Sequence, residues 1–162
     1  MTNTTYFRNG PSGRLAALHA TVYFSGSITG GREDVPLYRR MIDALEADGH
    51  RVLAGAVAAE HVGDGGEPLA LAEIFARDLR WIDECDLVVA EVSTPSHGVG
   101  YEIAYARWVR RIPVIALYRR GRTKRCSAML SGDPAIRLLE YEDPDAVLES
   151  LRLAVRYPDR LP

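Results

Sequence analysis

Short apolar runs alternate along the chain with segments of helical period, the arrangement of a βαβ protein built around a parallel sheet. Thr21 to Ser25 reads as the first strand of that series and runs into the loop Gly26-Ser-Ile-Thr-Gly-Gly31. Leu37, Met41, Ile42 and Leu45 recur at helical spacing, which predicts a helix from Val35 to Asp48 stopped by Gly49. Arg51 to Val57 is a weaker strand, and a loop with Gly63, Gly65, Gly66 and Pro68 leads to a helix over Leu69 to Cys85. Asp86 to Glu91 has the apolar centre of a strand buried on both faces. The turn Ser93-Thr-Pro-Ser-His-Gly98 then precedes a helix from Val99 to Arg110. Strands over Pro113 to Tyr118 and Ile136 to Tyr141 and a helix from Pro144 to Val155 complete the pattern. The expected fold is α/β: a Rossmann-like (flavodoxin-like) parallel five-stranded sheet flanked by helices, in one domain over residues 21–157. Residues 1–20, with many Thr, Asn, Gly and Ser, are expected to form a flexible N-terminal arm.

Composition narrows the function classes. The chain has 162 residues, enough for a core, with 47% hydrophobic and 26% charged positions. Its net charge of −2 supplies no field that would draw it to nucleic acid or anionic lipid. The apolar runs are of strand length, so no membrane span is expected. Cys85 and Cys126 lie far apart without CxxC spacing, which favours neither a metal site nor a disulfide framework and points to a reducing cytoplasm. The four histidines share no spacing suited to zinc or to a triad.

Ligands of open parallel sheets bind where loops gather at the carboxyl ends of the strands, and here the loops after the first and third strands carry the Gly and Ser. The first loop offers backbone N–H groups and the Ser27 hydroxyl to phosphate oxygens, although a tight turn with incidental glycines explains it equally well. It matches neither GxxxxGK[ST] nor GxGxxG, so neither a triphosphate loop nor a dinucleotide fingerprint is indicated. The second loop, Ser96-His-Gly-Val-Gly-Tyr-Glu102, opens a helix whose N-terminus favours an anion. Glu102 falls in the first turn of that expected helix, as a nucleophile kept ionised by the helix dipole or simply as a helix-start acid. Asp78, in Phe75-Ala-Arg-Asp-Leu-Arg-Trp81, is either a proton donor at the edge of an apolar helix face or a solvated acid paired to an Arg one turn away. Retaining glycosidic cleavage needs two such carboxyl groups, one ionised and one protonated.

Five blocks taken together resemble the 2′-deoxynucleoside 5′-phosphate N-hydrolases of the nucleoside 2-deoxyribosyltransferase superfamily. They are Tyr23-Phe-Ser-Gly-Ser-Ile-Thr-Gly-Gly-Arg-Glu-Asp34, Arg77-Asp-Leu79, Asp86-Leu-Val-Val-Ala-Glu-Val92, Pro95-Ser-His-Gly-Val-Gly-Tyr-Glu102 and Cys126-Ser-Ala-Met129, in the family's order. The resemblance implies a hydrolase that splits 2′-deoxynucleoside 5′-monophosphates into base and 2-deoxyribose 5-phosphate, with no metal or other cofactor. It implies Glu102 as the nucleophile that forms a glycosyl-enzyme and Asp78 as the acid that assists departure of the base. Tyr23 would orient the nucleophile and crowd the place of a 2′-hydroxyl. Gly26, Ser27, Ile28, Ser96, Gly98, Ser127 and Met129 would hold the 5′-phosphate and sugar. Ser127 is implied to reach the site of a neighbouring subunit, hence a homodimer.

Two positions depart from the family pattern. Thr29 stands where relatives have an Arg, which leaves open whether Arg32 supplies that cation, and Ala56 stands where relatives have a His, with His61 five residues on. Base preference is therefore not implied. The rival readings are a ribonucleotide hydrolase acting on CMP or a similar substrate, a base-exchanging deoxyribosyltransferase, and a nucleotide-binding module without catalysis.

Overall fold

The computed structural model describes residues 5–8, 15–59, 62 and 66–158. In chain order the elements are β1 (Thr5–Arg8), β2 (Leu15–His19), β3 (Thr21–Ser25), α1 (Val35–Ala47), β4 (Arg51–Leu53), α2 (Leu71–Glu84) and β5 (Leu87–Glu91). They continue with α3 (His97–Ala104), β6 (Val114–Arg119), α4 (Ala128–Ser131), β7 (Ile136–Tyr141) and α5 (Ala146–Arg156). The expected parallel sheet of five strands is present, in the order β4-β3-β5-β6-β7. The chain crosses over between β3 and β5, so the loops after these two strands diverge and leave a crevice at their carboxyl ends.

Alternation along the strands sorts the core into two layers. Val22, Phe24, Leu87 and Val89 point to one face and pack with Met41 and Leu45 of α1 and Leu151 of α5. Tyr23, Val88 and Ala90 point to the other, against Ile82 of α2 and Val99 and Ile103 of α3. Every residue of β5 is buried, as a central strand covered on both faces requires. Among the described residues no helix is long and apolar enough to cross a membrane.

Several boundaries differ from the sequence expectation. The second strand of the series ends at Leu53, its last residue paired to β3, and the chain turns away at Gly55, whose φ of +49° suits glycine. The helix after the second loop begins at His97, two residues early, because Ser96 caps it by accepting from the Val99 N–H at 3.4 Å. It does not end as an α-helix: Tyr105–Arg110 forms a π-helical turn, and Arg111 closes it with a φ of +55°. Leu71, an apolar residue at the start of α2, is 85% exposed. Within the expected arm, β1 and β2 pair as an antiparallel hairpin; residues 1–4 and 9–14 lie outside the described residues, as do His61, Gly63 and Gly65.

Candidate active site

Tyr23 and Ser25 lie two positions apart at the end of β3 and so share one face of the sheet. Beside them β5 ends, and the loop that follows delivers Ser96, Gly98 and then Glu102 on α3. From the opposite wall α2 supplies Arg77 and Asp78. These elements enclose a cleft of about 260 Å³ lined by Tyr23, Ser25, Asp78, Ser96, Gly98 and Glu102, with Gly26, Ile28 and Thr29 from the first loop. Ala54 to Val57 form the wall left when β4 turns away.

The electrostatics centre on Glu102. The early start of α3 places it in the second helical turn, so the expectation that the dipole would hold it ionised is corrected. Burial instead pushes its carboxyl from 4.5 up to about 7, and the nearby Asp78 charge adds to the rise. Two hydroxyls oppose it: Ser25 Oγ donates to Glu102 Oε2, and the Tyr23 hydroxyl donates to the same carboxylate. Tyr23 is itself buried, and burial with two acidic neighbours drives its phenol far above the ordinary value, so it remains a donor. Ser25 was not among the expected site residues; its place two positions after Tyr23, on the same face of the strand, was the available signal.

Asp78 is raised by burial and lowered by Arg77, whose Nε donates to Asp78 Oδ1 at 2.9 Å. Its partner is thus the adjacent arginine, not one a helical turn away. Arg77 also donates to Glu67 through both terminal nitrogens, at 2.5 and 2.6 Å, and stacks over Trp81 at 4.7 Å. Glu67 was not among the expected site residues, and no signal in a Gly-rich loop singled it out.

The remaining expected residues divide. Gly26, Ile28, Ser96 and Gly98 border the cleft. Ser27, within the first loop, has its Oγ buried and without a hydrogen-bond partner among the described residues. Ser127 and Met129 are not in the Glu102 cleft. They border an adjacent hollow of about 470 Å³ that shares Ser96 and Val99 with it, and Met129 is 82% exposed there. Arg32 donates to the carbonyls of Ala56, Val57 and Ala59, so it braces the cleft wall and does not stand in for an arginine at position 29.

The model of the nucleoside 2-deoxyribosyltransferase family matches residues 22–148. A Syntrophotalea carbinolica protein, provisionally named a 2′-deoxynucleoside 5′-phosphate N-hydrolase, is 46% identical over 121 residues, covering 75% of this chain and 84% of its own. The 5-hydroxymethyl-dUMP N-hydrolase of Tetraodon nigroviridis is 42% identical over 113 residues, covering 68% of this chain and 78% of its own. Among solved structures, the CMP N-glycosidase of Clostridium botulinum superposes with a TM-score of 0.61 at 20% identity, over 82% of this chain and 98% of that one, a likeness of fold. By family match, sequence identity and fold, this chain belongs to the nucleoside 2-deoxyribosyltransferase family.

Proposed function

We propose that this protein hydrolyses the N-glycosidic bond of 2′-deoxynucleoside 5′-monophosphates. The observation that carries the reading is the convergence of Tyr23, Asp78 and Glu102 on one cleft at the switch point of the sheet, with the Glu102 carboxylate held by two hydroxyls. The relatives named for this reaction, at 42–46% identity, support it. Glu102 attacks the anomeric carbon as its bond to the base breaks; the bonding pair leaves with the base, which takes a proton from Asp78. Water then attacks the same carbon, gives a proton to Asp78 and frees Glu102 and 2-deoxyribose 5-phosphate. The Tyr23 and Ser25 hydroxyls keep the nucleophile aligned, and Tyr23 occupies space that a 2′-hydroxyl would need. The 5′-phosphate docks on the two loops, at Gly26 to Ile28 and at Ser96 and Gly98, where the N-terminus of α3 adds its dipole.

The phosphate site is completed by Ser127 and Met129 of a second copy. Ser127 and Met129 lie outside the Glu102 cleft but beside Ser96, with Met129 exposed, which supports their reaching the site of another copy. Mixing Glu102→Ala with Ser127→Ala protein is expected to give more activity than the sum of the two, and no gain on mixing would count against shared sites. Both cysteines are free, in keeping with a cytoplasmic enzyme.

The direct test is chromatography of bases released from deoxy and ribo 5′-monophosphates alongside their nucleosides. Release from deoxynucleoside monophosphates alone is expected. Release from ribonucleotides would show that Tyr23 does not guard the 2′ position, and formation of new nucleosides on adding free base would mark a transferase.

A further inference from the structure

Resting on the acid role proposed for Asp78, one feature of the cleft wall bears on how a carboxyl group beside an arginine keeps a proton. An adjacent guanidinium ordinarily holds an aspartate ionised. Here that guanidinium is shared between two carboxylates: both terminal nitrogens of Arg77 donate to Glu67, whose side chain is 11% exposed against 17% for Arg77, while Nε donates to Asp78 and Nη2 also lies 2.9 Å from Asp78 Oδ1. Glu67 is fixed in turn by the backbone N–H of Ala56. Arg77 is sandwiched over Trp81 and pressed by Gly55, where an added Cβ would meet Arg77 Nη2 at 3.1 Å and Trp81 at 3.2 Å. The fork therefore has little freedom to turn wholly towards Asp78.

We propose that Glu67 is a positioning residue for the reaction: it takes up the charge of Arg77, so that Arg77 orients the Asp78 carboxyl without holding it permanently ionised. Among the described residues, the groups that face Asp78 are Arg77 from its own helix, Glu67 from the preceding loop, Tyr23 from β3 and Glu102 from α3. Of these Arg77 alone is cationic, so the Glu67 charge decides how strongly Asp78 sees it. Burial and the Glu67 charge both act to raise Asp78, against Arg77.

Two substitutions pull in opposite directions. Glu67→Gln keeps the shape of the side chain and leaves the Arg77 charge uncompensated, so Asp78 loses its proton about one pH unit lower. The rate of base release relative to wild type should then fall as pH rises, to about tenfold on the alkaline side, and return to parity in acid. Arg77→Met removes the cation, and its relative rate should rise with pH. A merely structural role for the pair would depress both variants at every pH. The Asp78 carboxyl is also followed directly, by NMR titration of protein carrying ¹³C-labelled aspartate, with Asp78→Asn to assign the signal. A midpoint lowered in Glu67→Gln and raised in Arg77→Met supports the proposal. Midpoints that stay in place, or move the same way in both variants, overturn it. Because the titration needs no turnover, wild-type protein that released no base would refute the hydrolase reading while leaving these midpoints to decide the role of Glu67.

Discussion

Removing the Ser25 hydroxyl isolates what holds the Glu102 carboxyl ionised. Ser25 is buried at the end of β3 and donates to Glu102, whose carboxyl burial has already raised to about 7. A hydrogen bond to a charged group is worth about 1.5–3 kcal/mol, and one pH unit of titration corresponds to about 1.4 kcal/mol. Ser25→Ala should therefore lift Glu102 by about one to two further units, to roughly 8–9. In the proposed mechanism Glu102 attacks only when ionised, so the ratio of wild-type to variant kcat/KM follows the ionised fraction of the free enzyme. It should be roughly 10- to 90-fold near pH 6 and no more than about twofold near pH 9. The assay is initial-rate base release from a deoxynucleoside monophosphate across this range, in constant ionic strength. A ratio that stays the same at every pH would refute the reasoning, because the hydroxyl would then act by touching substrate and not through the charge of Glu102.

Three other outcomes are expected. Glu102→Gln should abolish turnover and also stabilise the fold: a carboxyl raised from 4.5 to about 7 binds its proton more tightly when folded, so stability is lost as pH rises between those values. The cost of ionised Glu102 is about 3 kcal/mol above neutrality, so the variant should melt higher than wild type by roughly 5–10 °C at pH 8 and equally near pH 4.5; equal melting at pH 8 would refute this. Gly30→Ala would bring a Cβ to 2.5 Å from Ser27 Oγ and 2.9 Å from the Pro95 carbonyl oxygen, forcing the loops after β3 and β5 apart. Calorimetry should show monophosphate binding weakened by about 1–3 kcal/mol, and unchanged affinity would mean that the loops move freely. His50 is buried and its Nδ1 accepts from the Ala20 N–H at 3.2 Å; burial lowers its pKa below 6.5. The unfolded chain takes the proton first, so this contribution is complete above about pH 6.5 and declines as pH falls below it. His50→Gln should flatten that part of the denaturant-midpoint profile, and an unaltered profile would assign the acid sensitivity to other groups.

Local pattern was sufficient for the order of the sheet strands and their flanking helices from β3 to α5, but not for the β1–β2 pair or the short α4. The continuous apolar run in Asp86 to Glu91 and the helical spacing in Val35 to Asp48 report which backbone hydrogen bonds a segment can make while burying its apolar side chains, and these depend on near neighbours. The same pattern placed two Gly/Ser loops at the carboxyl ends of adjacent strands, and motif resemblance picked out Tyr23, Asp78 and Glu102, which the fold brings to one cleft. The charge state of those groups was not legible. Whether Glu102 titrates near 4 or near 7 depends on water excluded by three separate elements and on a serine 77 positions earlier in the chain. The expectation that the helix dipole would rule failed because one cap, Ser96, moved the helix start by two residues. Glu67 and Arg77, ten positions apart, meet where the end of a loop folds back on α2, beside a Gly55 at which an added Cβ would crowd Arg77 and Trp81. Tertiary structure alone also separated Ser27, buried within its loop, from Ser127, beside a different hollow. Periodicity is a property of the backbone and its nearest side chains, whereas desolvation and charge pairing act through space, between residues the chain order keeps apart.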